Sequence, residues 1–243
     1  MNMEIACDSK VLLMFAPLKS ETEAVQTAVD RWSHDAMSIA RSGTYDQITV
    51  ECIGMRGCHL RQVLPRYAHH RVAGVIVAGV AGALAPELSI GDLVIDTNST
   101  HAQRVAEFMN AMSSQPRVRV GPIHTSKELV STARAKKQLH KETKALAVDM
   151  ENAYTRQLAD RRHIPWLGIR AISDTAFENI SPQVVHFVDG TGNARPWDIT
   201  ISLARKPMLI PQLIRLGRNT QSATKHLSAA IGAVIRSGWP FEQ

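Results

Sequence analysis

An α/β fold is predicted by three stretches of this 243-residue chain. Ala145 to Ala176, ALAVDMENAYTRQLADRRHIPWLGIRAISDTA, reads as a strand, a helix and a second strand. Val72 to Val77 is dense in branched residues without alternation, the pattern of a strand buried on both faces of a covered sheet. Val11 to Phe15 is a further apolar run, and it leads through Ala16-Pro17 into helical periodicity.

In chain order, the strand Val11 to Phe15 is followed by the polar turn Leu18-Lys19-Ser20 and a helix from Glu21 to about Ala40. Ala24, Val25, Ala28, Val29 and Trp32 recur there at spacings of three and four. Glu21 lies in the first turn, where an acid complements the helix dipole. The same position faces the end of the sheet where α/β pockets form, and both readings stand. The strand Ile48 to Ile53 closes in Gly54-Met55-Arg56-Gly57. This is either a plain tight turn or a loop passing close to a ligand, with Arg56 in reach of an anionic or hydroxyl-bearing group. Cys58 to His70 is expected to be a helix despite Pro65.

Val72 to Val77 runs into Ala78-Gly79-Val80-Ala81-Gly82-Ala83, expected as a small-residue loop where missing side chains let a ligand or another backbone approach. Its spacing matches neither GxGxxG nor a phosphate loop ending in GK[ST]. Ile90-Gly91-Asp92 forms a turn before the strand Leu93 to Ile95. His101 to Met112 reads as a helix, Val118 to Ile123 as a strand, His124 to Lys127 as a polar turn, and the following chain to about His140 as a helix.

Within the stretch Ala145 to Ala176, Ala145 to Val148 is a short strand with Asp149 and Glu151 directly after it. Met150, Ala153, Tyr154, Gln157 and Leu158 then build one helical face, so Glu151 stands at the helix start. The second strand, Trp166 to Ile169, ends in Arg170 and leaves Ser173 and Asp174 just past its C-terminal end, where open α/β sheets put their chemistry. Taken alone, Asp174 also reads as a capping or loop acid, Glu151 as a helix-start charge and Met150 as a core residue. Phe177 to Asp198 is loop-like around GTGNARPW, and Ile201 to Ile235 is mainly helical, split near Pro207 and Pro211. The chain shows no internal repeat or low-complexity linker, so a single domain over residues 1–243 is expected, with 177–243 a loop and helical extension.

The 28 Lys and Arg against 22 Asp and Glu give a formal +6, but the excess is spread along the chain. Arg134, Lys136, Lys137 and Arg161, Arg162 read as solvated helix faces and ends, so no nucleic-acid partner is expected. Cys7, Cys52 and Cys58 are odd in number and lack CxxC spacing, which argues against a disulfide scaffold or a zinc site and fits a reducing cytoplasm. The ten histidines show no HxH or HExxH clustering, so neither metal nor cofactor is expected. The longest apolar run, Val72 to Ala85, falls short of the roughly 18 residues of a membrane span.

Three segments, AGVAGALAPELSIGDLVI, AVDMENAYTRQLA and IPWLGIRAISDTA, carry a family likeness in this order. Through them the chain resembles the nucleoside phosphorylase and nucleosidase superfamily, above all its methylthioadenosine/S-adenosylhomocysteine nucleosidase-like branch. With the segment from the first strand to Glu21, the likeness extends to about residue 176. It implies a three-layer αβα sandwich around a mixed, partly barrel-like sheet. The implied activity is cleavage of the N-glycosidic bond of a purine nucleoside with a modified 5′ group, by water. Phosphorolysis, with phosphate as co-substrate, and non-catalytic nucleoside binding are the alternatives.

The resemblance also implies roles. Asp174 of the SD pair would protonate the departing purine, normally at N7. Glu151 of the ME pair would grip ribose hydroxyls, and Met150 would pack against the sugar. Glu21, given one inserted residue in the preceding turn, would be the general base for water. Ser173, Gly79, Val80, Leu129 and Arg56 complete the candidate substrate contacts. These roles suit the chemistry, because positive charge develops on the sugar and negative charge on the base as the bond breaks.

Departures from the family pattern bear on the nucleophile and the base. APLKSE contains no GDPxR-like motif, and Val77 and Val80 stand where arginine and serine would help bind an anion, leaving Lys19 and Arg56 as substitutes. Leu129 lies close to the place of a phenylalanine in adenine-specific members. The segment LARKPMLIPQLIRLGRN resembles tails of the phosphorylase-like proteins associated with hopanoid biosynthesis. Its Met208, Leu209, Ile210, Leu213 and Ile214 either cover a bulky 5′ substituent or form core or subunit interface. A homodimer or higher homo-oligomer is expected from the same likeness.

Overall fold

The computed structural model describes residues 9–34, 45–112, 117–181 and 209–241. Its strands are β1 (Lys10–Ala16), β2 (Gln47–Cys52), β3 (Arg71–Ala83), β4 (Leu93–Asp96), β5 (Val118–Gly121), β6 (Ile123–Thr125), β7 (Ala147–Asp149) and β8 (Trp166–Asp174). Its α-helices are α1 (Lys19–His34), α2 (Leu60–Val63), α3 (Ala102–Met112), α4 (Ala133–Thr143), α5 (Asn152–Arg161) and α6 (Leu209–Arg236). The strands form one sheet in the order β2-β1-β3-β8-β4-β5, with β6 paired to β7 and β7 returning to β3. β4 runs antiparallel to β8 and β7 antiparallel to β3, while the other pairs are parallel. The result is the expected three-layer α/β sandwich on a mixed sheet.

The alternation of buried side chains shows why β1 and β3 lie in the middle. Leu12, Met14 and Ala16 of β1 and Ile76 and Ala78 of β3 join the core under α1, α3 and α6. Val11, Leu13 and Phe15, with Val75 and Val77, point the other way and pack with Val63, Tyr67, Ala159 and Trp166. A strand with both faces covered reads as a continuous apolar run, as these two do.

Several sequence expectations need correction. The stretch Ala78 to Ala83 is strand, not loop: β3 continues through it for 13 residues, paired with β8 and then β7. β8 likewise runs past Arg170 to Asp174, so Arg170 is mid-strand and Ser173 and Asp174 are its last two residues. Cys58 to His70 is not one helix; around α2 the chain makes 3-10 turns at Met55–Gly57 and Leu64–Tyr67, with Pro65 opening the second. Pro122 divides the expected strand Val118 to Ile123 into β5 and β6, and β6 takes up His124 and Thr125 from the expected polar turn. Pro211 does not split the last helix, because it lies in the first turn of α6, where proline is tolerated. The end of α1 near Ala40, the GTGNARPW turn, Cys7, Pro207 and Met208 lie outside the described residues. Among the described residues no helix is long and apolar enough to cross a membrane.

Candidate active site

Two glycines of β3 lie opposite two polar side chains of β8: Gly79 pairs with Arg170, and Gly82 with Asp174. A Cβ on Gly79 would come within 2.2 Å of Arg170 Nη1 and 2.9 Å of Glu21 Oε1. One on Gly82 would meet Asp174 Oδ2 at 2.9 Å. The glycines therefore make room for the protein's own charged groups. At Gly79 the space left by the missing side chain is taken up by Arg170 and Glu21.

Arg170 is the centre of the first group and is fully buried. Its Nη2 lies 2.6 Å from Asp149 Oδ2 and 3.4 Å from Glu151 Oε2, and its Nε donates to Asn152 Oδ1 at 3.2 Å. Burial works against the guanidinium charge, but Asp149, Glu151 and Glu21 together outweigh it and hold the group charged. Nη1 has no hydrogen-bond partner among the described residues. Asp149 is itself held by Thr125 Oγ1 at 2.7 Å and by the Asn152 N–H at 2.9 Å.

Glu21 is only 2% exposed. Its Oε2 accepts from Leu18 N at 2.8 Å, as a glutamate in the first turn does when it reaches back to cap the helix. Its Oε1 accepts from Val80 N at 2.6 Å and ties α1 to β3. The acid thus caps the helix and at the same time lies beside Gly79, Val80 and Arg170. Burial pushes its pKa up to about 7 against the pull of Arg170. Val80 contributes its backbone N–H rather than its side chain.

Glu151 stands at the N-cap position of α5 but makes no side-chain cap. Its Oε1 accepts from Arg56 N at 2.9 Å. Burial raises its pKa, offset in part by Arg170. Arg56 thus enters through its backbone, in a left-handed conformation (φ 57°), while the residue itself is exposed.

Asp174, 6% exposed, is the centre of the second group. Its Oδ1 accepts from Ser173 Oγ at 2.9 Å, and its Oδ2 accepts from Lys136 Nζ. The Ser173 hydroxyl also lies 3.3 Å from Ala81 O. Lys136 is fully buried, against the expectation that it belongs to a solvated helix face. Leu129 and Met150 meet Asp174 in one narrow cleft, together with Gly82, Val130 and Val148. Lys19 is exposed at the start of α1.

Arg170, Asp149, Asn152 and Lys136 were not singled out by the sequence as site residues. Arg170 carried a signal, a charge inside an apolar strand; Lys136 carried none. A larger cavity of about 520 Å³ lies between α1 and α6, lined by Arg31, Lys225 and Arg236 among others. It contains none of these acids, so the chemistry of the side chains, not volume, locates the candidate site. Among the described residues no group of three or more His, Cys, Asp or Glu side chains is arranged to hold a metal ion.

A model of the phosphorylase superfamily matches residues 99–195. The 5′-methylthioadenosine/S-adenosylhomocysteine nucleosidase of Mycobacterium bovis is 29% identical over 150 residues, covering 42% of this chain and 59% of that relative. The chain thus spans less than two thirds of that relative's length. Among solved structures, a mutant of futalosine hydrolase from Helicobacter pylori is similar with a TM-score of 0.64 at 15% identity, over 94% of this chain and 99% of that one. The 5′-methylthioadenosine/S-adenosylhomocysteine nucleosidase of Neisseria meningitidis, in complex with methylthio-immucillin-A, is similar with a TM-score of 0.61 at 17% identity, over 94% and 99%. The family model covers residues 99–195, from before α3 to beyond β8, and the solved structures share the fold: over that run the chain resembles the phosphorylase superfamily, and its curated relatives are methylthioadenosine/S-adenosylhomocysteine nucleosidases.

Proposed function

We propose that the protein hydrolyses the N-glycosidic bond of a purine nucleoside carrying a modified 5′ group. The observation that carries this reading is the spacing of two buried acids along β3. Glu21 is fixed beside Gly79 and Val80, and Asp174 beside Gly82. Two residues of strand, Val80 and Ala81, separate those glycines, and the three steps rise on the order of 10 Å, enough for a ribose to lie between a base-side acid and a water-side acid.

In this reading Asp174 delivers a proton to the departing purine and Glu21 takes one from the attacking water. The unpartnered Nη1 of Arg170, beside Glu21, is a donor available to orient that water. Glu151 retains lone pairs beyond those accepting from Arg56 and Arg170, and these accept ribose hydroxyls. Met150 packs against the sugar, and Leu129 covers the base. Glu151, Asp149 and Glu21 around one guanidinium leave an excess of negative charge, which favours the cationic sugar of the transition state.

The same excess disfavours phosphate. The buried guanidinium of Arg170 on the water side already faces three carboxylates, and Val77 is fully buried and uncharged. A panel of purine nucleosides, with and without phosphate, tests the reading by the free base and sugar released. Free ribose with no phosphate requirement is expected; ribose-1-phosphate as the main product would overturn hydrolysis. A tight nucleoside complex that releases no base would mark a binding protein. Its physiological form is proposed to be a single-domain chain acting as a cytoplasmic homodimer or higher homo-oligomer; a monomer in sedimentation would refute the oligomer.

A further inference from the structure

We propose that Lys136 is the proton source behind Asp174, a role that rests on the purine-release reading above. Lys136 sits in the first turns of α4, four residues after Thr132, where a cation opposes the positive end of the helix dipole. Its side chain is fully buried, which adds the cost of removing an ammonium from water. Its neighbours Arg134 and Lys137 are exposed and bear neither burden.

The start of α4 does not need this lysine. Thr132 Oγ1 already accepts from Ala135 N at 3.1 Å, and Asn179 Oδ1 from Ala133 N at 2.8 Å. What offsets the two costs is a pair of acceptors at the end of β8. Lys136 Nζ donates to Asp174 Oδ2 and, at 2.7 Å, to the Thr175 carbonyl. A residue that breaks two local rules and is held by one candidate catalytic acid marks a functional placement.

Asp174, so held, has no proton to give, because Oδ2 accepts from Lys136 and Oδ1 from Ser173. A carboxylate cannot act as an acid, and Lys136 supplies what is missing. One N–H bond of Lys136 breaks as an O–H bond forms on Asp174; the carboxyl proton then passes to the purine nitrogen as the C–N bond breaks. Ser173 suits either state, since the proton from Lys136 arrives on Oδ2 while the serine hydroxyl goes on donating to Oδ1. Lys136 is left as a neutral amine. The proton that Glu21 takes from water returns to it through solvent, so nucleoside and water go to free base and ribose with no proton gained or lost. Among the described residues the other charged groups around the pair are Glu178, which accepts from Thr175 N at 2.9 Å, its partner Arg215 on α6, and Glu128 and Asp149 along the cleft.

Arginine separates this role from simple positioning, since a guanidinium keeps the positive charge but does not give up its proton in a protein. The test compares Lys136→Met, Lys136→Gln and Lys136→Arg with the wild-type protein in purine release across pH, with folding followed by thermal melting and binding of an uncleavable carbon-linked adenosine analogue. Lys136→Met and Lys136→Gln are expected to lower kcat about 100-fold with KM little changed. Lys136→Arg should remain below about a tenth of wild-type kcat. Near-wild-type kcat in Lys136→Arg would overturn the proton transfer, and near-wild-type kcat in the Met or Gln variant would overturn any part in the reaction. Lys136→Gln, which keeps an N–H donor for Asp174, serves if the Met variant fails to fold. A wild-type protein that releases no base from any nucleoside refutes the underlying activity instead.

Discussion

Arg170 and Lys136 are both fully buried, yet one faces three carboxylates and the other faces one. Around Arg170 the acids outnumber the cation, so negative charge is left over beside the proposed sugar position. At the other end Lys136 matches Asp174 charge for charge and hands it a mobile proton. The contrast separates two jobs, stabilising a cation and protonating a leaving group, which require opposite local charge balances.

The largest effect is expected where the matched pair meets the substrate. Asp174→Asn should slow purine release about 1000-fold while an uncleavable nucleoside analogue still binds. Measured single-turnover rates that fall less than tenfold would remove Asp174 from the chemistry. Arg170→Met breaks the other group and leaves Asp149 and Glu151 buried without their cation. Loss of one partner of such a group destabilises by about 3–5 kcal/mol, to be read from urea unfolding. A stability change within error of zero would mean that the acids find another partner.

Glu21 sharpens the comparison through pH. Its pKa is raised from 4.5 to about 7, mainly by burial, so the folded protein binds a proton that the unfolded chain has released. The stabilisation from this proton is fully present below about 4.5 and is lost as pH rises through about 7. Activity should run the opposite way, rising as Glu21 ionises through about 7 to act as base. Glu21→Gln is expected to lower kcat about 100-fold above that pH and to flatten both profiles. An unchanged acid limb of kcat/KM in Glu21→Gln would assign it to another group.

The α/β class, the buried strands β1 and β3 and the acids at the ends of β7 and β8 were legible in the sequence, because apolar runs and helix starts are local signals. The extent of β3 was not. Apart from Val80, Ala78 to Ala83 lacks side chains that favour a strand, and what makes it one is pairing with β8 and β7, a long-range contact. The reason for Gly79 was hidden for the same cause, since the atoms that need the space belong to Arg170 and Glu21. The sequence groups Lys136 with its solvated neighbours Arg134 and Lys137. Only the docking of α4 against the end of β8 turns that one position inward.

The smallest expected effect concerns the base, where the two charged groups no longer decide. Leu129 lines the cleft with Met150, Val130 and Asp174, and its branched side chain covers a ring without the oriented contact of an aromatic pair. Leu129→Phe should favour adenine over hypoxanthine nucleosides by a few-fold, since a stacked ring pair is worth about 0.5–1.5 kcal/mol. The change should fall in KM, because stacking is present before the bond breaks as well as during it, and uniform binding does not raise kcat. Ratios of kcat/KM for adenosine and inosine analogues measure it. A fall in kcat with KM constant would instead place Leu129 against the reacting atoms and move the base deeper toward the Lys136 and Asp174 pair.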